Sequence, residues 1–288
     1  MFYTHHANVH TPVSVRTGRK RLIAGCVRIY GSGRLRNIYL IGTAGSGKSS
    51  LVRSYKEWLD HNGIDAIIVN LDPGAEALPY VPDIDIREWV SLQEMMDEYA
   101  LGPNGAQIAC ADLMAMNIEK LTDVLGTYKT RYALIDTPGQ LELFAFRRSS
   151  NVIVDALGKE RSMAVFLADP LLCRTSNGLV STMMLSSIVQ FRLGIPLINV
   201  LSKSDLLNDD ELDKLLSWFA DPDALYGDML DNDNDPQTVI GMELFKALEG
   251  IGVFGDVRTV SSKDQIGMEE LYAASQQCFF GGEDADTN

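Results

Sequence analysis

The sequence predicts a doubly wound α/β fold, in which helices cover both faces of a mostly parallel sheet. Short, continuously apolar runs recur along residues 37–262, and helix-length segments separate them. Strands that are apolar on both faces are buried on both faces, which is typical of a parallel sheet between helices. The chain has 288 residues, 46% of them hydrophobic, so one domain with a sizeable core is expected.

The charge distribution separates the first 36 residues from the remainder. Residues 1–36 contain seven Lys or Arg and no Asp or Glu, although the whole chain has a net charge of −14. We interpret residues 1–35 as a poorly ordered basic extension. The acidic body disfavours a nucleic-acid-binding surface, so no direct nucleic-acid partner is expected.

The first predicted strand, NIYLIG, leads into the glycine-rich stretch GTAGSGKSS and then into a helix. This stretch matches the Gly-x4-Gly-Lys-Ser pattern of phosphate-binding loops, in which backbone N–H groups and a helix N-terminus face the phosphates. Lys48 is expected to neutralise the β- and γ-phosphates, and Ser49 to bind magnesium. The predicted nucleotide-binding residues of the loop are Gly42, Gly45, Ser46, Gly47, Lys48, Ser49 and Ser50.

The second predicted strand, IDAIIVNLD, ends in Asp72 and is followed by the proline-rich run ALPYVPDIDIRE. We expect this run to be a loop that reaches over the bound phosphates. Asp72 is then a second candidate for contact with the metal or with a water molecule. The alternative is that Asp72 belongs to a purely structural Asp-Pro-Gly turn.

The stretch ALGPNGAQI, residues 100–108, interrupts a helical pattern that extends from Ile86 to about Gly126. Pro103 fixes one backbone angle and the neighbouring glycines free others, so this stretch breaks the helix. On local chemistry alone it is a turn between two helices. The Met and Leu residues that follow have helical spacing, so we assign them to the core, and part of their face is a candidate dimer seam.

A third predicted strand, within ALIDTPGQLELF, ends in Asp136. Its carboxylate is expected at the same edge of the sheet as the phosphate loop, where it can hold a metal ion through water. Gly139 offers a backbone N–H to the γ-phosphate. Either Gln140 or Glu142 can orient a water molecule; alternatively, Glu142 is a first-turn acid that complements the helix dipole.

Two more predicted strands follow, and the second one, PLINVLSKSD, ends in residues that suit guanine. The Asp205 carboxylate can accept from the ring N–H and the exocyclic amino group of guanine, a donor pair that adenine lacks. The Lys203 stem can lie along the base. After the last predicted strand, Ser262 is expected to offer its backbone N–H to the guanine carbonyl, unless VSSK is a plain turn.

Acidic residues are concentrated in one segment late in the chain. Between Leu207 and Arg258 there are thirteen Asp or Glu and three Lys or Arg. We interpret this concentration as solvated helical faces. Residues 280–288 are interpreted as a disordered acidic tail.

The sequence contains no predicted membrane segment. There is no uncharged apolar run of about 18 residues, and the N-terminus lacks the apolar core of a signal peptide. The four cysteines are scattered without any Cys-x-x-Cys spacing, which is typical of reduced, mostly buried thiols. We therefore expect a cytoplasmic protein that does not contact membranes.

Together these motifs resemble those of the GPN-loop GTPases, small P-loop proteins of the SIMIBI class. The motifs occur in the family's order and approximate spacing over residues 36–275. The resemblance implies a P-loop NTPase fold of the SIMIBI type, with a helical insert before the last strand. It divides the chain into an extension at 1–35, a GTPase domain at 36–279 with an acidic insert at about 207–256, and a tail at 280–288.

The resemblance also implies a function, which is the hydrolysis of GTP to GDP and phosphate with magnesium in a homodimer. It implies that a loop of one subunit, here Gly102, Pro103 and Asn104, enters the nucleotide site of the other. The implied catalytic residues are Asp72, Asn104, Gln140, Glu142 and Lys48. Family members are linked to the assembly or nuclear import of RNA polymerase, so polymerase or another protein complex is the expected partner.

Two other functions stay open on the sequence alone. One is a nucleotide-dependent assembly module with negligible turnover, and the other is a P-loop kinase, which is less favoured because the sequence contains no arginine-rich lid. The chain departs from the resemblance at two points. Ser202 stands where guanine-binding motifs have Asn, and residues 1–35 have no family counterpart, which indicates a misassigned start codon.

Overall fold

Seven parallel strands form one sheet in the computed structural model, which describes residues 35–231, 236–255 and 257–281. The strands are β1 (Arg36–Gly42), β2 (Ala66–Asn70), β3 (Ile84–Asp85), β4 (Tyr132–Asp136), β5 (Ser162–Ala168), β6 (Leu197–Leu201) and β7 (Arg258–Thr259). Their order in the sheet is β3-β2-β4-β1-β5-β6-β7, and each neighbouring pair is parallel. The predicted doubly wound parallel sheet is confirmed.

Twelve α-helices connect these strands within the described residues. They are α1 (Lys48–His61), α2 (Leu92–Tyr99), α3 (Pro103–Met116), α4 (Ile118–Leu125), α5 (Leu141–Phe144), α6 (Arg148–Leu157), α7 (Pro170–Cys173), α8 (Ser176–Leu193), α9 (Asp209–Ala220), α10 (Pro222–Asp231), α11 (Pro236–Gly250) and α12 (Met268–Phe280). Helices α9, α10 and α11 lie between β6 and β7, so the predicted helical insert before the last strand is also confirmed.

The central strand β1 illustrates why the apolar runs form strands that are buried on both faces. Successive strand side chains point to opposite faces of a sheet. Tyr39 and Ile41 belong to the core cluster that includes residues of α3 and α6, whereas Ile38 and Leu40 belong to the cluster that includes residues of α1 and α12. Both faces therefore need apolar side chains, and the run is continuous instead of alternating.

The insert has an apolar cluster of its own. Trp218 and Phe219 of α9 and Phe245 of α11 are buried together with Leu179 and Met183 of α8. This cluster packs the insert against the end of the sheet near β6. Asn208 caps α9, and Asp209, Asp210 and Glu211 stand in its first turn, where the helix dipole favours negative charge.

Two local predictions differ from the structure. The proline-rich run contains the two-residue strand β3, which pairs with β2 because the Asp83 backbone and side chain bond to both polar groups of Ile68. The helical pattern predicted from Ile86 begins as a 3-10 turn, and α2 starts only after Ser91, whose side chain caps it. Ala100, with φ of 51°, then ends α2.

The two ends of the described chain lie close together. The guanidinium of Arg36 lies 4.0 Å from the centre of the Phe280 ring, and Leu35 packs against the core. The predicted extension, up to residue 34, and the tail from residue 282 lie outside the described residues. Among the described helices, none is both long enough and apolar enough to cross a membrane.

Candidate nucleotide site

The phosphate loop joins β1 to α1 with two glycines in the left-handed region. Gly45 has φ of 77° and Gly47 has φ of 95°. Gly47 is the N-cap of α1, so the loop turns sharply and the helix begins at Lys48, as the motif predicts. The first backbone N–H groups of α1, together with its positive dipole end, then point to a common centre.

Lys48 is buried inside this loop. Its Nζ donates to the backbone oxygens of Gly42, at 2.9 Å, and of Thr43, at 3.0 Å. Burial lowers the pKa of Lys48, and the nearby carboxylates of Asp136 and Asp72 oppose that change. The ammonium group is therefore held by carbonyl oxygens at the centre where a phosphate chain would lie.

Asp136 ends β4 beside the loop and is only 1% exposed. Its Oδ2 accepts a hydrogen bond of 2.6 Å from the hydroxyl of Tyr80, while its buried Oδ1 has no hydrogen-bond partner among the described residues. Burial raises the pKa of Asp136, and the hydroxyls of Ser49 and Tyr80 oppose this rise. A buried carboxylate oxygen without a donor is an acceptor that suits a cation or its bound water.

The residues around Asp136 suit magnesium better than a metal ion whose ligands all come from protein side chains. Among the described residues no group of three His, Cys, Asp or Glu side chains could hold a metal ion. Magnesium usually takes one or two protein oxygen ligands and completes its shell with water and nucleotide phosphates. Ser49 and Asp136 offer oxygen donors of this kind next to the phosphate loop.

Asp72 links two segments that the sequence places far apart. Its Oδ1 accepts from the backbone N–H of Gly74 at 2.9 Å, and its Oδ2 accepts from the backbone N–H of Gly139 at 3.2 Å. Asn70 fixes the backbone here, because its Oδ1 accepts from the N–H of Asp72 at 3.0 Å. The Asp-Pro-Gly turn that was the alternative for Asp72 does form. It also places the Asp72 carboxylate in contact with Gly139, whose N–H is predicted to bind the γ-phosphate.

Gln140 and Glu142 lie at the start of the short helix α5. Gln140 is its N-cap and Glu142 stands in its first turn, directly after Gly139. Both side chains are exposed. The first-turn position agrees with the dipole explanation for Glu142, and the exposure leaves both side chains accessible to water.

Gly102, Pro103 and Asn104 do not form a loop of their own. The turn consists of residues 100–102, Gly102 is the N-cap of α3, and Pro103 is its first residue. Proline suits this position because its missing N–H would have no partner in the first turn and its φ is already helical. All three residues are exposed, so Asn104 stands on the outer surface of α3.

The base-site residues follow β6. Lys203 has φ of 50°, its Nζ bonds to Oδ2 of Asp169 at 2.8 Å, and its stem lies over the phosphate loop next to Gly47. Asp205 Oδ1 accepts from the hydroxyl of Ser261 at 2.9 Å. The Ser202 hydroxyl donates to a backbone oxygen of β5, so it faces the sheet and not a base.

One cleft of about 440 Å³ is lined by residues of both the phosphate loop and the base site. From the phosphate side it is lined by Ser46, Gly47 and Ser50. From the base side it is lined by Ser202, Lys203, Asp205, Ser262 and Lys263. Its volume is within the range of small-molecule sites, about 300–1,000 Å³.

Sequence reasoning missed three residues of this site: Tyr80, Asp169 and Ser261. Asp169 follows β5 directly, and the rule that ligands bind at the carboxyl ends of parallel strands would have found it. Ser261 stands beside the predicted Ser262. Tyr80 lies in the run that was predicted to reach over the phosphates, but the pattern gave no sign of its partner.

Comparisons with known proteins agree with this geometry. A family model described as a conserved hypothetical ATP-binding protein matches residues 40–280. The GPN-loop GTPase PAB0955 of Pyrococcus abyssi is 33% identical over 236 residues, which are 81% of this chain and 93% of that relative. The chain belongs to the GPN-loop GTPase family.

Two further relatives place this GPN-loop chain in context. The crystal structure of the Pyrococcus abyssi protein, a GTPase in its apo form, has a TM-score of 0.75 and 30% identity, with 84% of this chain and 96% of that chain covered. GPN-loop GTPase 1 of Dictyostelium discoideum is 28% identical over 82% of this chain. The match spans only 59% of that longer relative.

Proposed function

We propose that this GPN-loop protein binds GTP with magnesium and hydrolyses it to GDP and phosphate. The observation that carries the proposal is the cleft of about 440 Å³ that residues of the phosphate loop and of the base site line together. The Ser261 hydroxyl takes one acceptor position of Asp205 Oδ1, which leaves a second position on that oxygen and both positions on Oδ2 available to a ligand. That carboxylate suits the donor pair of guanine, which adenine lacks, and so favours GTP over the ATP in the family model's description.

In this proposal Lys48 and magnesium would neutralise the negative charge of the phosphates. Lys48 would exchange its two carbonyl contacts for the β- and γ-phosphate oxygens. Ser49 would bind the metal directly and Asp136 through water, with Asp72 as a second candidate. When bound, magnesium would offset the negative charge of the phosphates, which is the main requirement of phosphoryl transfer.

Water activation would take place at the γ-phosphate. The N–H of Gly139 would donate to that phosphate, and Asp72, Gln140 and Glu142 would orient the attacking water. The hydrogen bond between Asp72 and Gly139 supports this set, because it brings a carboxylate and the expected phosphate contact to one place. Such positioning, without a covalent intermediate, is typical of phosphoryl transfer to water.

A homodimer is part of the proposal, with Asn104 entering the partner's nucleotide site. Asn104, Ile108 and Met116 recur at multiples of four along α3 and are all exposed, Met116 by 78%. Val152 of α6, a helix that packs against α3, is also exposed. The same spacing includes Asp112, which pairs with Arg147. Exposed apolar residues on the helix that carries Asn104 support a seam between copies of the chain.

The cellular role is proposed from the family resemblance. We infer a cytoplasmic protein that assists the assembly of a larger complex such as RNA polymerase. Capture of partners by the protein loaded with GDP or with a non-hydrolysable GTP analogue tests this role. A partner retained equally in both states contradicts a nucleotide-driven assembly function.

The activity is tested by phosphate release from GTP and from ATP in the presence of magnesium. We expect turnover with GTP, little with ATP, and loss of turnover in Lys48→Ala. Binding without turnover, with a partner affinity that depends on the nucleotide, would favour the assembly module instead. Transfer of labelled phosphate to an added nucleoside or RNA would favour a kinase.

A further inference from the structure

Tyr80, in the loop between β2 and β3, reaches the buried carboxylate of Asp136. Its hydroxyl donates to Oδ2 of Asp136 over 2.6 Å, and its half-buried ring packs against the core cluster that contains α1 residues. The contact joins two segments that flank the phosphate loop.

Other contacts hold this loop without the Tyr80 hydroxyl. Near its start, Nη1 of Arg87 donates to the backbone oxygen of Ala75 at 2.7 Å. Near its end, the Asp83 backbone N–H donates to the Ile68 oxygen, and the Asp83 side chain accepts from the Ile68 N–H at 2.8 Å. The path of the loop is therefore fixed at both ends independently of Asp136.

The two oxygens of Asp136 have different surroundings as a result. Oδ2 is occupied by the Tyr80 hydroxyl, and Oδ1 is buried with no hydrogen-bond partner in the described part of the chain. A carboxylate that accepts a hydrogen bond on one oxygen keeps a fixed orientation, so its other oxygen points in one direction. Groups that orient a metal-binding carboxylate in this way strongly influence metal affinity.

We propose that Tyr80 is a positioning residue for magnesium. Its hydroxyl holds Asp136 so that Oδ1 remains free for water bound to the metal. Tyr80 itself touches neither metal nor nucleotide and acts only through Asp136. The inference rests on the proposed function, because it requires that magnesium binds together with GTP at this site.

The variant Tyr80→Phe tests the inference, since it removes the hydroxyl and keeps the ring in the core. Its affinity for a fluorescent, non-hydrolysable GTP analogue is measured over a series of magnesium concentrations and in EDTA. We expect the magnesium concentration that gives half of the increase in affinity to rise about 10-fold. The affinity measured in EDTA should stay at the value of the unmodified protein.

Tyr128→Phe is the matched control. The hydroxyl of Tyr128 donates to the backbone oxygen of Asp83 at 3.1 Å, so its removal affects the same loop without touching Asp136. We expect Tyr128→Phe to keep the original magnesium dependence. If Tyr80→Phe also keeps it, or if both variants shift it equally, the Tyr80 hydroxyl is only structural and the inference is wrong.

The outcomes separate this inference from the function on which it rests. If the affinity of the unmodified protein for the analogue does not respond to magnesium, the proposed function itself is contradicted. If the unmodified protein responds and Tyr80→Phe responds identically, only the role of Tyr80 is contradicted.

Discussion

At the residue scale, the carboxylate of Asp205 bonds to the protein and also lines the ligand cleft. Oδ1 accepts from Ser261, whose hydroxyl is completely buried and also accepts from the backbone N–H of Asp264. Because Ser261 is held on both sides, it restricts the rotation of the Asp205 side chain. The carboxylate is thereby held in place at the ligand cleft, which Asp205 lines.

Asp205→Asn is expected to reverse the base preference of this site. An amide offers a donor where guanine also has a donor, so GTP binding should weaken by about 1–3 kcal/mol, roughly 5- to 150-fold in Kd. Xanthosine triphosphate, with a carbonyl in place of the amino group, should bind better than it does to the unmodified protein. Both affinities can be measured by calorimetry.

The control for this exchange is Asp264→Asn, which alters a neighbour of the same serine without altering the base contact. It should leave the preference for GTP over xanthosine triphosphate as it was. An unchanged preference in Asp205→Asn would remove Asp205 from the base site.

At the element scale, α7 and α8 approach each other closely at one glycine. Gly178 stands in the first turn of α8, where its N–H donates to the hydroxyl of the capping Thr175 at 3.1 Å. A Cβ on Gly178 would lie 2.0 Å from the backbone oxygen of Leu172, which is a severe clash. The two helices therefore require the absence of a side chain at this position.

Gly178→Ala is expected to lower the free energy of unfolding by about 1–3 kcal/mol, since added atoms in a close contact force the helices apart. Gly227→Ala in α10 is the matched control, because nothing lies within 4 Å of its new Cβ. That exchange should leave stability unchanged or raise it by about 0.5–1 kcal/mol. Urea denaturation measures both, and equal midpoints would contradict the described approach of α7 to α8.

Prediction from sequence succeeded where residue type alone decides the structure. The turn at Gly47 needs a left-handed backbone, and an apolar strand such as β5 can only be buried, so both were visible in the pattern. The short strand β3 was not. Its position depends on distant partners, since one backbone bond and one side-chain bond between Asp83 and Ile68 align it with β2.

The residues of the candidate site also divide into those that the sequence predicts and those that it does not. Strand ends located Asp72, Asp136 and Asp205, because parallel strands bring their carboxyl ends to one edge of the sheet. The contact of Tyr80 with Asp136 joins residues 56 positions apart and depends on how the loop folds back. No local pattern contains that information.

At the scale of the whole molecule, α3 is next to two segments of the phosphate site. One contains Asp72 and Gly74, and the other runs from Gly139 to Arg147. The side-chain nitrogen of Gln107 lies 3.4 Å from where a Cβ of Gly74 would stand. Asp112 pairs with Arg147, just beyond α5, at 2.6 Å. Helix α3 is therefore next to the segment that contains Asp72 and is bonded to the segment that follows Gly139.

Asn104→Ala is expected to slow GTP hydrolysis by about 100-fold, as for the loss of one donor to a developing charge, with little loss of nucleotide affinity. Mixing Asn104→Ala subunits with Lys48→Ala subunits should restore part of the activity, because each hybrid dimer contains one site with both residues intact. Single-turnover assays measure both effects. No recovery on mixing would contradict a contribution of Asn104 across the dimer.

Met116→Glu is expected to convert the proposed homodimer into monomers, since it replaces an exposed apolar side chain of α3 by a charge. Val239→Glu, at a position 54% exposed on α11, is the control and should leave the dimer intact. Sedimentation velocity distinguishes the two species. If only Val239→Glu dissociates the dimer, the seam lies on the insert and not on α3.

The Asp72 carboxylate accepts a hydrogen bond from the Gly139 N–H, so it would compete with the γ-phosphate of GTP for that donor. We expect the γ-phosphate of GTP to take the Gly139 N–H and to free the Asp72 carboxylate for the attacking water, a change that GDP cannot cause because it lacks that phosphate. The contacts of Tyr80 and Asp83 would keep the rest of the loop in place. Amide hydrogen exchange at Gly74, whose N–H donates to Asp72, should then be faster with a non-hydrolysable GTP analogue than with GDP, and equal rates would contradict this displacement.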